Sequence, residues 1–251
     1  MVGTKADIIA HLQREILPLQ GYKPIPAGRV PDTGLGMIQT AFPEQSFPLG
    51  VIHEFISSGA EDAAAGAGFI AGIVGGLMRK TGSAVWILSA ATVFPPALQA
   101  FGVAPHRIIF IRLQKEKEML WAMEEALKCE GLSAVIAEIK DLSFTASRRL
   151  QLAVEKSRVT GFVLRKDCRN LQTTACVTRW RVTAAPSELP EGMPGLGFPC
   201  WNVELLKVRN GRPGKWQVEF ANGRFRDVKA KVKTEKQKVF QAGVVPGKVS
   251  A

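Results

Sequence analysis

Residues 47–68 read Phe-Pro-Leu-Gly-Val-Ile-His-Glu-Phe-Ile-Ser-Ser-Gly-Ala-Glu-Asp-Ala-Ala-Ala-Gly-Ala-Gly, and this stretch decides the fold. The apolar run 51–56 predicts a buried β-strand. A short Ser/Gly turn follows it, and the Ala/Gly-rich run after the turn predicts a helix over 62–80 that ends near Gly82. A strand, a tight turn and a helix in this order start an α/β unit.

Outward from this stretch, strands and helices alternate along the chain. Strands are predicted at 84–88, 108–113, 134–139, 161–164 and 175–182, with helices at 95–101, 115–130 and 145–158. Such alternation predicts an α/β fold with a mostly parallel, twisted sheet flanked by helices. Two further strands, 201–208 and 216–220, flank the turn Asn210-Gly211 and predict a C-terminal β-hairpin.

The regions outside this core have different compositions. Residues 1–20 predict an amphipathic helix whose apolar face carries Ile8, Leu12 and Ile16, which could contact a second protomer or a partner, or pack in cis. Residues 21–48 contain five prolines and predict an extended linker. The core is expected over 49–185, with a loop and hairpin extension over 186–228. The lysine-rich tail, 229–251, has few apolar residues and is predicted to be disordered.

The charge is distributed unevenly along the chain. The net charge is +11, yet residues 1–141 carry 12 Lys/Arg against 14 Asp/Glu. Residues 142–185 carry 9 against 2, and residues 228–251 carry 6 against 1. This asymmetry points to a polyanion or an acidic protein surface as partner, or to a solvated basic face that keeps the protein soluble.

Several classes of protein are disfavoured by composition. The N-terminus lacks the pattern of a secretory leader, so we expect a cytoplasmic protein. The longest charge-free apolar run, 63–78, is shorter than the roughly 20 residues that cross a bilayer, and a helix buried against a sheet explains it better. The four cysteines form no CxxC pair and the three histidines are scattered, so neither a metal site nor a disulfide framework is expected.

The segment 47–55 resembles the one that leads into the nucleotide-binding loop of RecA recombinases. In that family a Gly-x-x-x-x-Gly-Lys-Thr loop follows the first core strand, whereas the degenerate loop here contains Ser57, Ser58, Gly59, Glu61 and Asp62 without the lysine. Two carboxylates at the start of a helix stabilise the helix because they interact favourably with its dipole, and they repel phosphate. The catalytic glutamate expected after the second core strand is also replaced, by Ser-Ala-Ala-Thr at 89–92. No nucleotide cofactor and no hydrolysis are therefore expected.

A second glycine motif lies within the first helix. Residues 66–71 match the G-x-G-x-x-A pattern of dinucleotide-binding folds. The motif begins well past the end of the strand, and no acidic residue for a ribose ends the next strand. Close packing of helix on sheet is the better explanation of these small residues.

Basic residues of the second half are candidates for binding DNA or an acidic partner. Arginine and lysine can neutralise phosphates, but only Trp180 lies among them, and by alternation it points away from its arginine neighbours. The candidates are Arg148, Arg149, Arg165, Lys166, Arg169, Arg179, Arg181, Lys229, Lys231 and Lys233.

Residues 46–182 together resemble the ImuA family, RecA-related proteins of error-prone DNA repair cassettes, and its Bacteroidetes-type members in particular. The phrases that carry the resemblance are FPLGVIHEF, SSGAEDAAAGAGF, WILSAATVFPPALQAFGV, RIIFIRLQKEKEMLWAMEEALKCEGLSAVI and TTACVTRWRV. It implies a RecA-like core with a degenerate phosphate loop, and a non-catalytic accessory role in SOS-induced translesion mutagenesis.

The implied partners are an ImuB-type polymerase-like protein, RecA and single-stranded DNA, with homo-oligomer formation left open. Two other functions stay open on the sequence. One is a SulA-type inhibitor of cell division, which belongs to another RecA-like family without the loop. The other is a DNA-dependent ATPase with an unusual loop.

Overall fold

The computed structural model describes residues 32–79, 82–168, 171–187 and 197–228. The predicted N-terminal helix with Ile8, Leu12 and Ile16 lies outside the described residues. So do Arg169 and the basic tail with Lys229, Lys231 and Lys233.

The described chain forms one nine-stranded sheet. Its strands are β1 (Ile52–Ile56), β2 (Ser83–Leu88), β3 (Ile108–Arg112), β4 (Leu132–Ile139), β5 (Thr160–Arg165), β6 (Thr178–Ala185), β7 (Cys200–Val208), β8 (Gly214–Ala221) and β9 (Arg224–Asp227). Their order across the sheet is β3-β2-β4-β5-β1-β6-β7-β8-β9. Pairing is parallel from β3 to β6 and antiparallel from β6 to β9. The prediction of a mostly parallel α/β sheet flanked by helices, in the manner of a RecA-like core, is confirmed.

Within the described residues three α-helices cover the sheet: α1 (Ala60–Leu77), α2 (Glu116–Leu127) and α3 (Phe144–Ser157). Short 3-10 helices lie at Gly36–Ala41, Pro43–Gln45, Pro95–Phe101 and Pro105–Arg107. The hydroxyl of Ser143 caps α3 by accepting a hydrogen bond from the Ala146 N–H at 3.1 Å. Among the described helices, α1 alone is long and apolar enough to pass for a membrane span, but more than half of it is buried, as expected of a core helix.

Two apolar layers separate the helices from the sheet. On one face α1 packs over the aromatic side chains Phe55, Trp180 and Trp201, which belong to the larger core cluster. On the other face α2 and α3 cover a smaller cluster that includes Met123, Val154 and other aliphatic side chains of the parallel strands. Strand β6 shows the alternation directly, because Trp180 is buried on the α1 face while its neighbours Arg179 and Arg181 point to the other.

The linker prediction is wrong for residues 32–48. This segment is packed on the α1 side of the sheet, where Leu35, Ile38, Phe42 and Phe47 are at most 4% exposed. Its backbone is fastened to the antiparallel strands, since the Phe225 N–H donates to the Gly34 carbonyl and the Arg212 N–H to the Ala41 carbonyl. The apolar side chains therefore make this segment part of the core despite its prolines.

The C-terminal extension is also part of the sheet. The predicted β7–β8 hairpin is present. The ninth strand was missed, although Asn222-Gly223 is a hairpin signal of the same kind as Asn210-Gly211. Both residues of the 222–223 turn have positive φ, 54° and 72°, as a two-residue turn between twisted strands requires.

Candidate functional site

The connection between β1 and α1 occupies the place of a phosphate-binding loop, and it is short. Only Ser57, Ser58 and Gly59 separate the strand from the helix. Ser57 is buried, and both its N–H (3.0 Å) and its hydroxyl (2.8 Å) donate to the Arg165 carbonyl at the end of β5. These bonds tie the start of the connection to the end of β5.

Acidic side chains dominate the start of α1. Glu61 and Asp62 lie in its first turn, and the Asp62 carboxylate accepts a hydrogen bond from the Ser58 N–H at 3.2 Å. One backbone donor that a phosphate would use is thus taken by a side chain of the protein. The two negative charges stabilise the helix dipole and oppose the approach of an anion.

A cleft of about 350 Å³ lies beside the start of α1, at the carboxyl ends of the parallel strands. Its α1 wall consists of small residues, and its polar groups include Thr92, Glu138 and Lys166. The Glu138 side chain is 1% exposed; it is ion-paired with Lys166 and accepts a hydrogen bond from the Thr92 hydroxyl at 2.9 Å. The Glu138 carboxylate is therefore paired with side chains of the protein itself.

A buried ion-pair network joins the ends of β1, β5 and β6. Glu54 is fully buried, and its two carboxylate oxygens face Arg165 at 3.0 Å and Arg179 at 2.8 Å. The Thr174 hydroxyl also donates to this carboxylate, at 2.8 Å. A buried carboxylate with two guanidinium partners and a hydroxyl has its hydrogen-bonding capacity met, which a buried charge requires.

This network changes the interpretation of two candidate cations. Arg165 is 3% exposed and bonded to Glu54, so it does not present a charge to DNA or to a partner. The Arg179 side chain is 12% exposed and also donates to the Gln172 carbonyl at 2.6 Å, which ties down the connection before β6. Both arginines hold the fold together, a role that the sequence could not separate from surface binding.

The other described candidates lie at different places. Arg148 is exposed on α3. Arg149 pairs with Glu124 of α2 at 2.6 Å, and Lys166 lies in the cleft. Arg181 is 39% exposed and pairs with Glu204 at 3.2 Å. The structure therefore divides the predicted basic site into separate parts.

One cationic cluster was missed by sequence reasoning. The side chains of β6–β9 that lie on the same side as Arg181 by strand register form a polar surface, here named the open face. Its charged members are Arg179, Arg181, Glu204, Lys207, Lys215, Glu219, Arg224 and Arg226. Glu204 lies between Arg181 at 3.2 Å and Lys215 at 2.5 Å, in one row across three strands. Alternate charged positions along β7 and β8 were the available signal, but their alignment depends on strand register.

Lys207 reports the electrostatics of the open face. Burial is the main cause that lowers the pKa of Lys207, and the nearby guanidinium groups of Arg179 and Arg209 add to it. Its ammonium donates to the Thr174 carbonyl at 2.8 Å. The side chains of Cys176 and Glu54 act in the opposite direction and raise this pKa.

The glycines of the G-x-G-x-x-A pattern serve packing. A Cβ at Gly66 would lie 3.1 Å from the Leu164 side chain, and one at Gly68 would lie 3.2 Å from Trp201. These distances are tighter than ordinary contact, so the small residues let α1 lie close to the sheet. The packing interpretation of this motif is confirmed.

Comparison with known proteins gives a consistent result. No family model matches the chain. Over 194 residues the chain is 40% identical to Protein ImuA of Caulobacter vibrioides strain NA1000 / CB15N, an alignment that covers 72% of this chain and 80% of that protein. The same identity and coverage hold for Protein ImuA of Caulobacter vibrioides strain ATCC 19089 / CIP 103742 / CB 15.

Proposed function

Because the chain belongs to the ImuA family, we propose that it is a non-catalytic accessory protein of an error-prone DNA repair assembly. It acts there by binding other proteins or DNA in SOS-induced translesion mutagenesis. The assignment to Bacteroidetes-type members stays an expectation from the sequence.

One observation carries the non-catalytic part of the proposal. The β1–α1 connection has three residues, lacks a lysine and leads into two carboxylates, while Glu138 nearby is paired with Lys166. A phosphoryl-transfer site needs cations and open backbone donors around the γ-phosphate. The described groups at this place offer a carboxylate-rich helix start instead.

The proposed partners follow from membership of the ImuA family and from the positive charge of the chain. They are an ImuB-type polymerase-like protein and RecA, with single-stranded DNA as a further ligand, and the proposed location is the cytoplasm. The net charge of +11 and the exposed cations of the second half support a polyanionic or acidic partner. Kinship to ImuA proteins favours the repair function over division inhibition.

The first experiment measures nucleotide binding and turnover. The full-length protein is titrated with a fluorescent ATP analogue, and phosphate release is followed with and without single-stranded DNA, beside a RecA-type ATPase as positive control. We expect neither binding nor turnover. DNA-stimulated hydrolysis that is lost in a cleft variant such as Glu138→Gln would refute the non-catalytic assignment.

The second experiment tests the assembly. The polymerase-like protein and RecA of the same organism are each co-purified with the tagged protein at moderate salt. Retention of at least one is expected. Retention of neither, together with capture of the cell-division polymer protein, would replace the repair function with division inhibition.

A further inference from the structure

We propose that the open face of β6–β9 is the docking surface for an acidic segment of a protein partner. The inference rests on the acidic partner of the proposed function and places it by the geometry of the sheet. The surface brings together Arg181 and Arg226, which are 45 positions apart in the chain.

Part of the open face is accessible in the described structure, whereas Glu219 is 7% and Arg179 12% exposed. Helices α2 and α3 pack on β1, β2, β4 and β5. The same side of β6–β8 carries polar side chains that stay accessible, with Lys215 at 77% and Arg181 at 39% exposure. Sheets whose strands alternate in this way usually turn the polar side to water, so exposure alone does not identify a partner.

The charged side chains of the open face are mostly cationic. Arg179 is paired with the buried Glu54 and Arg224 with Asp32. The remaining cations, Arg181, Lys207, Lys215 and Arg226, stand against the carboxylates of Glu204 and Glu219. Glu204 is shared by Arg181 and Lys215, so that row has a net positive charge. Burial is the main cause that lowers the pKa of Lys207, and the neighbouring Arg179 guanidinium lowers it further. An incoming carboxylate would relieve this repulsion.

The side chains of the open face favour a protein partner over a nucleic acid. Thr183, Asn202 and Gln217 form a neutral row beside the charged one and can donate to or accept from a peptide backbone. Proteins that bind single strands without sequence preference stack bases on aromatic rings. Trp180, Trp201 and Trp216 of these strands all pack with the core cluster on the opposite side. The described open face therefore suits carboxylates on a peptide better than bases on a single strand.

The test uses charge reversal with a matched control. Lys215→Glu and Arg226→Glu are combined in the full-length chain, because both side chains are exposed. The control combines Arg112→Glu and Lys117→Glu, two exposed cations on β3 and α2. Both variants change the net charge equally, so a difference between them reports the position of the charges. Circular dichroism and the unfolding midpoint verify that each variant folds.

Binding of a labelled oligo-glutamate peptide and of oligo-dT is measured by fluorescence anisotropy at low and moderate salt. We expect the peptide affinity of the open-face variant to fall about tenfold while the control keeps the native affinity. If the reversed variant does not fold, Lys215→Gln with Arg226→Gln replaces it, with a smaller loss in the same direction.

Three results would overturn the inference. Native protein that does not bind the peptide excludes an acidic docking surface. Equal losses in both variants assign the binding to net charge. A loss confined to oligo-dT identifies the open face as a nucleic-acid surface.

Discussion

The buried His53 imidazole makes the stability of the protein sensitive to acid. Both ring nitrogens are hydrogen-bonded, and both faces of the ring are stacked on aromatic side chains. Its ring stacks between Phe47 at 4.4 Å and Phe162 at 5.3 Å between centroids. Nε2 lies 2.9 Å from the Pro48 carbonyl and Nδ1 lies 2.7 Å from the Thr178 hydroxyl. A carbonyl only accepts, so Nε2 carries the proton and Nδ1 accepts from the hydroxyl. This geometry holds the neutral ring.

The expected magnitude follows from the shift. Burial lowers the pKa of His53 from 6.5 to about 3, against a smaller raising effect of the Pro48 carbonyl. The unfolded chain takes up a proton below pH 6.5 that the folded chain refuses, so stability is fully present above pH 6.5 and falls as the pH drops toward 3. The loss of stability from this group is about 1 kcal/mol at pH 5.5 and about 3 kcal/mol at pH 4.5.

The assay is urea unfolding at pH 7.5, 5.5 and 4.5, read by tryptophan fluorescence. His53→Phe keeps an aromatic ring between Phe47 and Phe162 but cannot titrate, so the variant lacks the loss of stability that His53 causes on acidification. The difference in unfolding free energy between native protein and variant should therefore shrink by about 3 kcal/mol from pH 7.5 to 4.5. His106→Gln removes an exposed imidazole and serves as control. A constant difference between native protein and His53→Phe would refute the reasoning.

Three further perturbations test other parts of the structure. Glu54→Ala leaves two guanidinium groups without their buried partner and should cost about 3–5 kcal/mol in urea unfolding; a loss under about 1 kcal/mol would show that water screens them. Gly75→Ala places a Cβ 2.0 Å from the Phe101 carbonyl oxygen and should cost about 1–3 kcal/mol, whereas Gly131→Ala meets nothing within 4 Å; equal thermal midpoints for both variants would contradict the close packing of α1. Deleting residues 229–251 should leave the unfolding midpoint unchanged and weaken binding to the partner or to oligo-dT, and unchanged affinity at low and moderate salt would exclude a binding role for the tail.

The local sequence pattern predicted most of the helices and strands of the core. The first strand, predicted at 51–56, is Ile52–Ile56, and the helix predicted at 145–158 is Phe144–Ser157. Continuous apolar runs and helical periodicity involve residues that are close in the sequence, so they can be recognised without knowledge of the tertiary structure. The prediction failed for 32–48, where the apolar residues follow no regular period. Short 3-10 helices place these residues in the core, and such short helices do not produce a repeating hydrophobic pattern in the sequence.

The sequence by itself determined that this is an α/β protein of the ImuA family and that its phosphate loop lacks a lysine, because those features lie in contiguous residues. Only the tertiary structure decided which basic residues are available. Glu54 and Arg179 are 125 positions apart, and β-sheet register brings them within 2.8 Å. The same register aligns Arg181, Glu204 and Lys215 in one row. Long-range pairing sorts like-charged side chains into buried and exposed sets, and composition does not encode that division.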